Sequence, residues 1–433
     1  MGANIRKNGQ TRVVIVGGGI GVLKLAMSLR HTDYQVVLVD KNNYNQFPPL
    51  IYQVASAGLE PSNIAFPFRR IFQGWKNFFF RMAEVKAIDE KEKAIETTVG
   101  AIHYDYLILA AGATTNFFGN KNIEQNTLPM KTVTEAMTLR NTILSTLEKA
   151  ETEDNPEKLQ ALMNFVIVGG GPSGVEIAGA LADMKKFVLP RDYHDLLERI
   201  HIYLLNASDR LLQTMDPKLS QRAEADLRKM NVHVRNNWIV TDYQDGVVSV
   251  KNGENIASET VIWVSGIKAN VINGVPQEAI GHNGRIKCDQ FNRVKGMRNV
   301  FCIGDQSIIE GDKNYPLGHP QVAQVAIQQA VNVAQNIQRC ETKEDEKPFS
   351  YNNLGTMATI GRKRAVAEIS RFKFGGFAAW ILWLVVHLRS ILGIKNKLNV
   401  FLNWVWGYIN YKQNLRLILR PDEKMQKKDN TLS

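Results

Sequence analysis

Two glycine clusters in the chain each follow a short run of β-branched residues and precede a helical pattern. The first reads VVIVGGGIG over residues 13–21, and the second reads VIVGGGPSG over residues 166–174, about 150 residues later. A glycine turn between a strand and a helix lets a pyrophosphate approach the free N–H groups and positive dipole of the helix N-terminus. The repeated pattern therefore predicts two dinucleotide-binding domains.

The two clusters differ at the third glycine of the pattern G-x-G-x-x-G. The second cluster has the complete set, Gly169, Gly171 and Gly174. The first has Gly17 and Gly19, but Val22 occupies the third position. Glycine at that position normally allows close packing of helix on strand. We expect Val22 to push the first helix slightly outward.

A polar residue ends the second strand of each unit. Asp40 follows VVLV, and a carboxylate at this place accepts hydrogen bonds from a ribose. The equivalent strand of the second unit, IHIYLL, is followed by Asn206 instead. An amide does not repel a 2′-phosphate as a carboxylate does, and Arg210 is close in sequence. The pattern therefore leaves both NADH and NADPH open for the second unit.

Charge and cysteine content narrow the class of protein. Lys and Arg number 53 against 42 Asp and Glu, giving a net charge of +11, which is compatible with nucleic acid or an anionic membrane as partner. Most of the excess lies from Arg371 onward, where four of the seven tryptophans also occur and no nucleic-acid-binding motif is present. Three scattered cysteines exclude a disulfide framework, C-x-x-C chemistry and a Cys-rich metal site.

The C-terminal region has the composition of a membrane-surface segment. The uncharged run from Gly375 to Val386 is shorter than the roughly 20 residues that span a bilayer. Leu398 to Tyr411 combines a stripe of asparagines with apolar and aromatic residues on the other faces, and basic residues flank it. This pattern predicts helices that lie on the membrane without spanning it. A helix pair packed on the protein core or on a dimer partner is the alternative.

A later motif links both glycine turns to a known superfamily. Gly304 and Asp305 form a GD pair, and YDYLILAAG ends at Gly112. Together with the two turns, these residues resemble two-dinucleotide-binding flavoproteins of the glutathione-reductase type, in which the first unit binds FAD and the second binds NAD(P)H. The expected fold class is α/β, with two Rossmann-like dinucleotide-binding domains and a C-terminal amphipathic helical membrane anchor. In this resemblance Asp305 holds the ribityl chain, and Ala111 stands where threonine is common.

Within that superfamily the chain most resembles the type II NADH:quinone oxidoreductases. FPPLIYQVA at 47–55 is similar to a family motif, with Pro48 in place of glutamine, and GGGPSGVE spans 169–176. AQVAIQQ at 323–329 resembles the family's quinone-site motif, and residues 392–397 with the following WVWGYINY and RLI resemble its membrane anchor. The resemblance runs from about Val13 to about Ile418. With no cysteine before Cys288, direct hydride transfer from nicotinamide to flavin is expected rather than a thiol relay.

The resemblance implies a domain plan and a set of site residues. The FAD-binding domain spans 11–130 and 284–345, the NAD(P)H-binding domain 131–283, and the membrane-anchoring domain 346–433. The FAD-binding residues implied are Gly17, Gly19, Asp40, Lys41, Ala111, Gly112, Gly304, Asp305 and Gln324. The NAD-binding residues implied are Gly169, Gly171, Gly174, Glu176, Asn206 and Gly266. No metal site is expected.

Three residues are candidates for catalysis, namely Glu176, Gln324 and Gln328. The resemblance places the Glu176 carboxylate near the nicotinamide and flavin, whereas its position alone is also typical of a first-turn acid that complements the helix dipole. Gln324 and Gln328 are four residues apart and share one helix face, where their amides can bond a quinone carbonyl or quinol hydroxyl. The alternative is a polar helix face without a ligand. His319 is interpreted as a loop residue.

The sequence thus predicts a membrane-surface flavoenzyme that passes a hydride from NADH to FAD and then two electrons to a membrane quinone, without proton pumping. Its expected place is the cytoplasmic face of a prokaryotic inner membrane, bound to anionic lipid through residues 371–433, with a homodimer and NADPH use left open. One alternative is a soluble NAD(P)H:ferredoxin or rubredoxin reductase of the same fold, which would stay active without residues 371–433. The other is a degenerate, non-catalytic membrane-bound protein, suggested by Val22 and Asn206.

Overall fold

A computed structural model describes residues 3–410 and 416–419 of the chain. The chain forms two compact units, each assembled from three separate segments. Unit 1 comprises Met1–Phe47, Ala65–Thr114 and Ile267–Leu354. Unit 2 comprises Pro48–Ile64, Thr115–Gly266 and Gly355–Ser433.

The helices and strands are numbered in chain order. The helices are α1 (Ile20–Ser28), α2 (Ile51–Ala55), α3 (Phe68–Ile71), α4 (Lys121–Asn126), α5 (Val133–Ala150), α6 (Pro156–Met163), α7 (Pro172–Phe187), α8 (Pro217–Lys229), α9 (Ala323–Thr342), α10 (Phe377–Ser390) and α11 (Ile394–Asn410). The strands up to residue 115 are β1 (Arg12–Val16), β2 (Gln35–Asp40), β3 (Tyr44–Gln46), β4 (Ala65–Pro67), β5 (Phe78–Met82), β6 (Val85–Asp89), β7 (Ala94–Thr97), β8 (Ile102–His103), β9 (Tyr106–Leu109) and β10 (Ala113–Thr115). The later strands are β11 (Leu128–Pro129), β12 (Asn164–Val168), β13 (His201–Asn206), β14 (Val232–Asn236), β15 (Val240–Gln244), β16 (Val247–Val250), β17 (Asn255–Ala257), β18 (Thr260–Trp263), β19 (Ile267–Ala269), β20 (Ile286–Cys288), β21 (Val300–Cys302), β22 (Ser307–Ile309), β23 (Thr356–Gly361), β24 (Arg364–Ile369) and β25 (Phe372–Gly375).

Unit 1 is built on a parallel sheet of five strands in the order β21-β9-β1-β2-β5. Every residue of β1 and β9 is buried, and apart from Arg12 at the start of β1 both strands are continuous apolar runs, as expected for strands covered on both faces. Helix α1 connects β1 to β2 and packs against α9. The β1–α1 turn therefore lies at the carboxyl end of the sheet's central strand, the usual position of a dinucleotide site in this architecture.

Unit 2 repeats this plan with a second parallel sheet, in the order β11-β18-β12-β13-β14. Helix α7 connects β12 to β13, so the second glycine turn again follows the central strand. Helix α2, from the Pro48–Ile64 segment, packs against α5 and α7. Both sheets have the α/β dinucleotide-binding arrangement that the sequence predicts.

The C-terminal part of unit 2 is an antiparallel sheet, β23-β24-β25, followed by α10 and α11. Helix α7 packs on β23, and α10 packs on β24 and α11. Trp383 on α10 is 1% exposed, and Val400 on α11 is fully buried. This region is thus part of the unit's core, so removal of residues 371–433 would expose apolar surface instead of releasing a free tail.

No helix in the described part of the chain is long and apolar enough to cross a membrane. Helix α11 covers most of the predicted interfacial segment, Leu398 to Tyr411. The last residue of that segment, Tyr411, lies outside the described residues. The domain boundaries at 130, 283 and 345 remain a prediction, because the compact units group residues by contact and not by ligand.

Candidate active site

The first glycine turn has the backbone geometry of a phosphate-binding loop. Gly17 has a φ of +103°, and a Cβ there would lie 2.2 Å from the Ala110 carbonyl oxygen. Its N–H donates to the Val39 oxygen at 2.8 Å. Gly19 is the N-cap of α1, and a Cβ added to it would meet no described atom within 4 Å. This open helix N-terminus fits the pyrophosphate of FAD.

Asp40 lies at the end of β2 and against the same turn. A Cβ on Gly18 would lie 2.9 Å from its Oδ2 atom, while Oδ1 accepts a hydrogen bond from the Asn42 N–H at 2.6 Å. Burial raises the pKa of Asp40 to about 6, although the Asn42 N–H and the neighbouring Lys41 act in the opposite direction. Lys41 itself is exposed. The position of Asp40 fits a carboxylate that accepts hydrogen bonds from a ribose.

Val22 stands at the third glycine position of the first unit with a buried side chain. Its side chain is 1% exposed, so it packs inside unit 1. At the equivalent position of unit 2, a Cβ on Gly174 would lie 1.8 Å from the Gly169 oxygen. Unit 2 therefore requires glycine at this position, whereas unit 1 accommodates valine, and the outward shift of α1 stays a prediction. Close packing occurs instead at Gly21, where a Cβ would lie 2.9 Å from the Ala326 oxygen on α9.

Two buried glutamines that the sequence analysis did not single out organise the predicted flavin residues. Gln306 accepts a hydrogen bond from the Ala111 N–H at 2.9 Å, and Gln329 on α9 accepts one from the Gly304 N–H at 2.7 Å. Both are at most 1% exposed. Gln306 directly follows the GD pair, and Gln329 ends AQVAIQQ, so both lie in motifs that the sequence shows. Their hydrogen-bond partners, however, are more than 20 residues away along the chain.

The remaining predicted flavin residues lie in the same part of unit 1. Gly112 follows Ala111 with a φ of +66°. Gly304 has a φ of +73°, and a Cβ there would lie 3.2 Å from the Ala326 Cβ. The Asp305 backbone oxygen accepts a hydrogen bond from Gln321 at 2.7 Å. The GD turn, the β9 end and α9 are thus brought together with the first glycine turn.

The second glycine turn repeats the geometry of the first. Gly169 has a φ of +125°, and a Cβ there would lie 2.6 Å from the Val264 oxygen. Gly171 is the N-cap of α7, with Pro172 at the first helical position, and a Cβ on it would meet no described atom within 4 Å. The absence of crowding at this helix N-terminus suits a second pyrophosphate.

Asn206 occupies the place in unit 2 that Asp40 has in unit 1. A Cβ on Gly170 would lie 2.5 Å from its Oδ1 atom, and its amide nitrogen donates to the oxygens of Ser208 and Arg210. The Arg210 guanidinium donates to the oxygens of Gln213 and Met215 and to Ser220. Arg210 therefore stabilises its own loop, which argues against the role in 2′-phosphate binding that its nearness in sequence suggested.

Glu176 lies in the second turn of α7, so it is not the first-turn acid of the alternative interpretation. The Thr359 backbone N–H on β23 donates to its carboxylate, and burial nevertheless raises the pKa of Glu176 to about 8. A carboxyl group with a pKa in this range exchanges a proton near neutral pH, as a proton-transfer group must.

We expect Glu176→Gln to change the pH dependence of stability. The folded-state pKa of about 8 exceeds the ordinary value of 4.5, so ionisation of Glu176 lowers stability as pH rises from about 4.5 to about 8. Glutamine keeps the shape and cannot ionise. The melting temperature of the variant relative to the wild type should increase by several degrees between about pH 5 and about pH 9. Thermal unfolding followed by circular dichroism measures this, and an equal difference at both pH values would contradict it.

Gln324 and Gln328 share one face of α9, as predicted, and both bind the segment that ends unit 1. Gln324 Oε1 accepts a hydrogen bond from the Leu354 N–H at 2.9 Å. Gln328 pairs with both backbone groups of Asn352, each at 2.9 Å. These amides therefore position residues 352–354. His319 lies in the loop before α9, as interpreted from the sequence, but its side chain is 1% exposed and its Nε2 atom lies 3.0 Å from Asp312 Oδ2.

Gly266 follows β18 in unit 2. Its oxygen accepts a hydrogen bond from the Asn116 N–H at 3.0 Å, and a Cβ there would lie 3.2 Å from the exposed Phe118 ring.

The cysteines are not among the predicted site residues. Cys288 and Cys302 are free and buried, and burial raises the pKa of Cys302 well above its usual range. A protonated, buried thiol is a poor nucleophile, so Cys302 is not suited to a thiol relay.

Comparison with known proteins places these features in a family. Residues 11–330 match the pyridine nucleotide-disulphide oxidoreductase family, and residues 353–410 match the NDH2 C-terminal domain. Type II NADH:quinone oxidoreductase Ndh of Mycobacterium tuberculosis is 33% identical over 93% of this chain and 89% of the relative. NdhA of the same organism is 35% identical over 92% of this chain and 87% of the relative.

Solved structures agree on the fold. NDH2 from Plasmodium falciparum, solved in complex with NADH, has a TM-score of 0.86 at 20% identity and covers 95% of this chain and 100% of its own. The sulfide:quinone oxidoreductase of Aquifex aeolicus has a TM-score of 0.71 at 18% identity, covering 95% of this chain and 96% of its own. The resemblance seen in the sequence is confirmed, and the chain belongs to the type II NADH:quinone oxidoreductases, within the pyridine nucleotide-disulphide oxidoreductase family.

Proposed function

We propose that the chain oxidises NADH and reduces a quinone by way of FAD bound to unit 1. The observation that carries this proposal is the pair of glycine turns, each open at a helix N-terminus and each with a polar strand-end side chain against its middle glycine. The bound flavin supplies the redox chemistry, accepting a hydride and passing on two electrons. The chain's own residues bind the cofactors, orient them and move protons.

The residues proposed for FAD all belong to unit 1. Gly17 and Gly19 hold the pyrophosphate at α1, and Asp40, beside Lys41, accepts hydrogen bonds from the ribose. Ala111 and Gly112 lie beside the flavin end, where Gln306 fixes the Ala111 N–H. Asp305 and the Gly304 turn serve the ribityl chain, and Gln324 lies on the helix that follows.

The residues proposed for NADH all belong to unit 2. Gly169, Gly171 and Gly174 form the pyrophosphate turn, and Asn206 is the ribose-facing residue. We propose NADH as the preferred donor, because the nearby Arg210 already binds backbone oxygens. Gly266 lies on the nicotinamide side, and Glu176 is the proton-exchanging carboxyl group there.

The proposed quinone-site residues are Gln324 and Gln328. Their amides hold the backbone of Asn352 and Leu354, and the same amides carry both donor and acceptor atoms. A quinone carbonyl can replace the Asn352 oxygen as the acceptor of the Gln328 amide N–H at a modest cost, because one hydrogen bond is exchanged for another.

The C-terminal helices are the proposed membrane-binding surface. Large apolar side chains are exposed on both helices, namely Phe377, Ile381, Val385 and Val386 on α10 and Ile394, Leu398, Phe401, Leu402, Val405 and Trp406 on α11. On α11 they recur at helical spacing on one face, and Lys395 and Arg389 lie nearby in sequence. This arrangement supports peripheral binding of an anionic lipid surface. The cytoplasmic face of a prokaryotic membrane is our proposal for its place, made from the likeness to the two bacterial relatives.

An anaerobic visible spectrum of the detergent-purified protein, titrated with NADH and then NADPH, tests the proposal. We expect a bound flavin that NADH bleaches and that a quinone then reoxidises. Equal bleaching by NADPH would contradict the proposed preference for NADH. A folded but colourless protein that takes up no FAD would contradict the enzymatic function and favour a non-catalytic membrane-bound protein. Reoxidation by a ferredoxin and not by quinone would favour the soluble-reductase alternative.

A further inference from the structure

Phe118 carries an exposed aromatic ring beside the unit 2 sheet that contains the second glycine turn. The residue is 66% exposed, whereas the neighbouring Phe117 packs against the buried core that includes Trp263. Phe118 also has a φ of +52°, a left-handed conformation that bulky residues rarely adopt. Both the exposure and the backbone conformation are unfavourable, so packing of the core does not explain why a phenylalanine stands here.

Three hydrogen bonds hold the backbone of Phe118 at the carboxyl end of β18. Asn116 Oδ1 accepts one from the Phe118 N–H at 2.9 Å, and the Asn116 backbone oxygen accepts one from the Trp263 indole at 2.9 Å. The Asn116 N–H donates to the Gly266 oxygen at 3.0 Å. The ring itself lies against Gly266, where a Cβ would be 3.2 Å from its Cζ atom, and edge-on to Trp263, with centroids 6.5 Å apart. The ring is therefore fixed in place although it is exposed.

The strand order of unit 2 determines which half of a dinucleotide would lie beside β18. The glycine turn follows the central strand β12, which has β13 on one side and β18 on the other. Asn206, the proposed residue for the adenosine ribose, ends β13. A dinucleotide whose pyrophosphate lies at the turn from Gly169 to Gly171 would therefore extend its nicotinamide half toward β18. The Val264 oxygen, directly after β18, lies 2.6 Å from a Cβ on Gly169, so this strand end borders the turn.

We propose that Phe118 binds the nicotinamide half of NADH, with its exposed ring packed against the nicotinamide ring. The inference rests on the proposed function, because it adds one residue to the proposed NADH site. A phenyl ring and the flat nicotinamide ring would bury apolar surface against each other in an offset or edge-on arrangement. The hydrogen bonds of Asn116 fix the backbone beforehand, so little conformational freedom would be lost on binding.

The binding of two nucleotides to the oxidised, FAD-containing protein tests the proposal without turnover. NAD⁺ contains the nicotinamide, and ADP-ribose is the same molecule without it. Phe118→Leu keeps an apolar side chain over the edge of Trp263 and removes the aromatic ring. We expect this variant to bind NAD⁺ about 5-fold more weakly and ADP-ribose with unchanged affinity. Isothermal titration calorimetry measures both affinities.

A second variant separates ligand binding from the stability of the segment. Asparagine tolerates a left-handed backbone, so Phe118→Asn removes the strain together with the ring. This variant should keep a melting temperature close to that of the wild type. Its affinity for NAD⁺ should nevertheless fall about 10-fold, because all of the apolar contact is lost, while its affinity for ADP-ribose should not change.

Two further substitutions in unit 2 serve as controls. Phe372→Leu is the same substitution at a phenylalanine of similar exposure, 62%, on β25 in the C-terminal sheet. It should leave the affinity for both nucleotides unchanged. Gly174→Ala changes the glycine turn that both nucleotides share, so it should weaken both of them.

The two nucleotides distinguish failure of this inference from failure of the proposed function. Wild-type affinity for NAD⁺ in Phe118→Leu and Phe118→Asn would overturn the inference. Equal weakening of NAD⁺ and ADP-ribose would also overturn it, because the cause would then be a general change at the sheet edge. A wild-type protein that binds neither nucleotide would contradict the proposed NADH site itself, and the inference with it.

Discussion

Gly174→Ala is expected to weaken NADH binding about 10- to 100-fold while leaving FAD bound. A Cβ at this position would lie 1.8 Å from the Gly169 oxygen, so the helix must move away from the turn that faces the pyrophosphate. Overpacking of this kind typically costs about 1–3 kcal/mol, which corresponds to roughly that factor in affinity. Stopped-flow reduction of the flavin at increasing NADH concentration measures the change. The flavin itself stays bound because its own turn belongs to unit 1.

Gly179→Ala provides a matched control on the same helix. A Cβ at Gly179 would lie 2.3 Å from the Ile360 oxygen on β23, so this variant also forces α7 to shift. Because the contact is away from the glycine turn, we expect a lower melting temperature without a selective loss of NADH affinity. If Gly179→Ala weakened NADH binding as much as Gly174→Ala, the turn geometry would not be the cause.

Replacement of Leu398, Phe401 and Trp406 by serine is expected to reduce binding to anionic vesicles about 100-fold. All three side chains are exposed on α11, between 47% and 57%. Partial burial of each in lipid contributes about 1 kcal/mol, so the loss of three corresponds to roughly two orders of magnitude. Vesicle sedimentation over a range of lipid concentrations measures this.

Serine substitutions at exposed apolar residues elsewhere in the chain control for a general change in surface polarity. Met82 and Ile239 are 58% and 43% exposed, and neither lies on α10 or α11. Met82→Ser with Ile239→Ser should bind vesicles as the wild type does. Unchanged binding of the α11 variant, or equal weakening in the control, would place the membrane contact elsewhere.

The parts of the site that depend on local backbone geometry could be predicted from the sequence. The turns at Gly17 and Gly169 need positive φ values directly after an apolar strand, and both requirements are visible in nine consecutive residues. Asp40 and Asn206 were placed correctly at the strand ends for the same reason. The run from Gly375 to Val386 was too short to predict a membrane-spanning helix, and no helix among the described residues is long and apolar enough to span one.

The contacts that were not foreseen join distant parts of the chain. Gln53 and Trp404 are separated by 351 residues, and no spacing rule connects them. Nearness in sequence also misled, since Arg210 follows Asn206 closely yet binds its own loop. The interpretation of the C-terminal helices as packed on the core holds for one side of them, and the membrane contact of their other, exposed side stays a prediction. Trp383 and Val400 are buried in unit 2, whereas Val385 and Leu398 are exposed.

Strand β21 has a consequence for the synthesis of the protein. It pairs with β9 and completes the edge of the unit 1 sheet, although Val300 follows Leu109 by nearly 200 residues. A ribosome releasing the chain from its N-terminus must therefore expose an incomplete sheet while the whole of the second glycine unit emerges. Such long-range pairing slows folding and leaves apolar strand edges open to aggregation. We expect nascent chains that end before Val300 to depend on chaperones more than the full-length protein does.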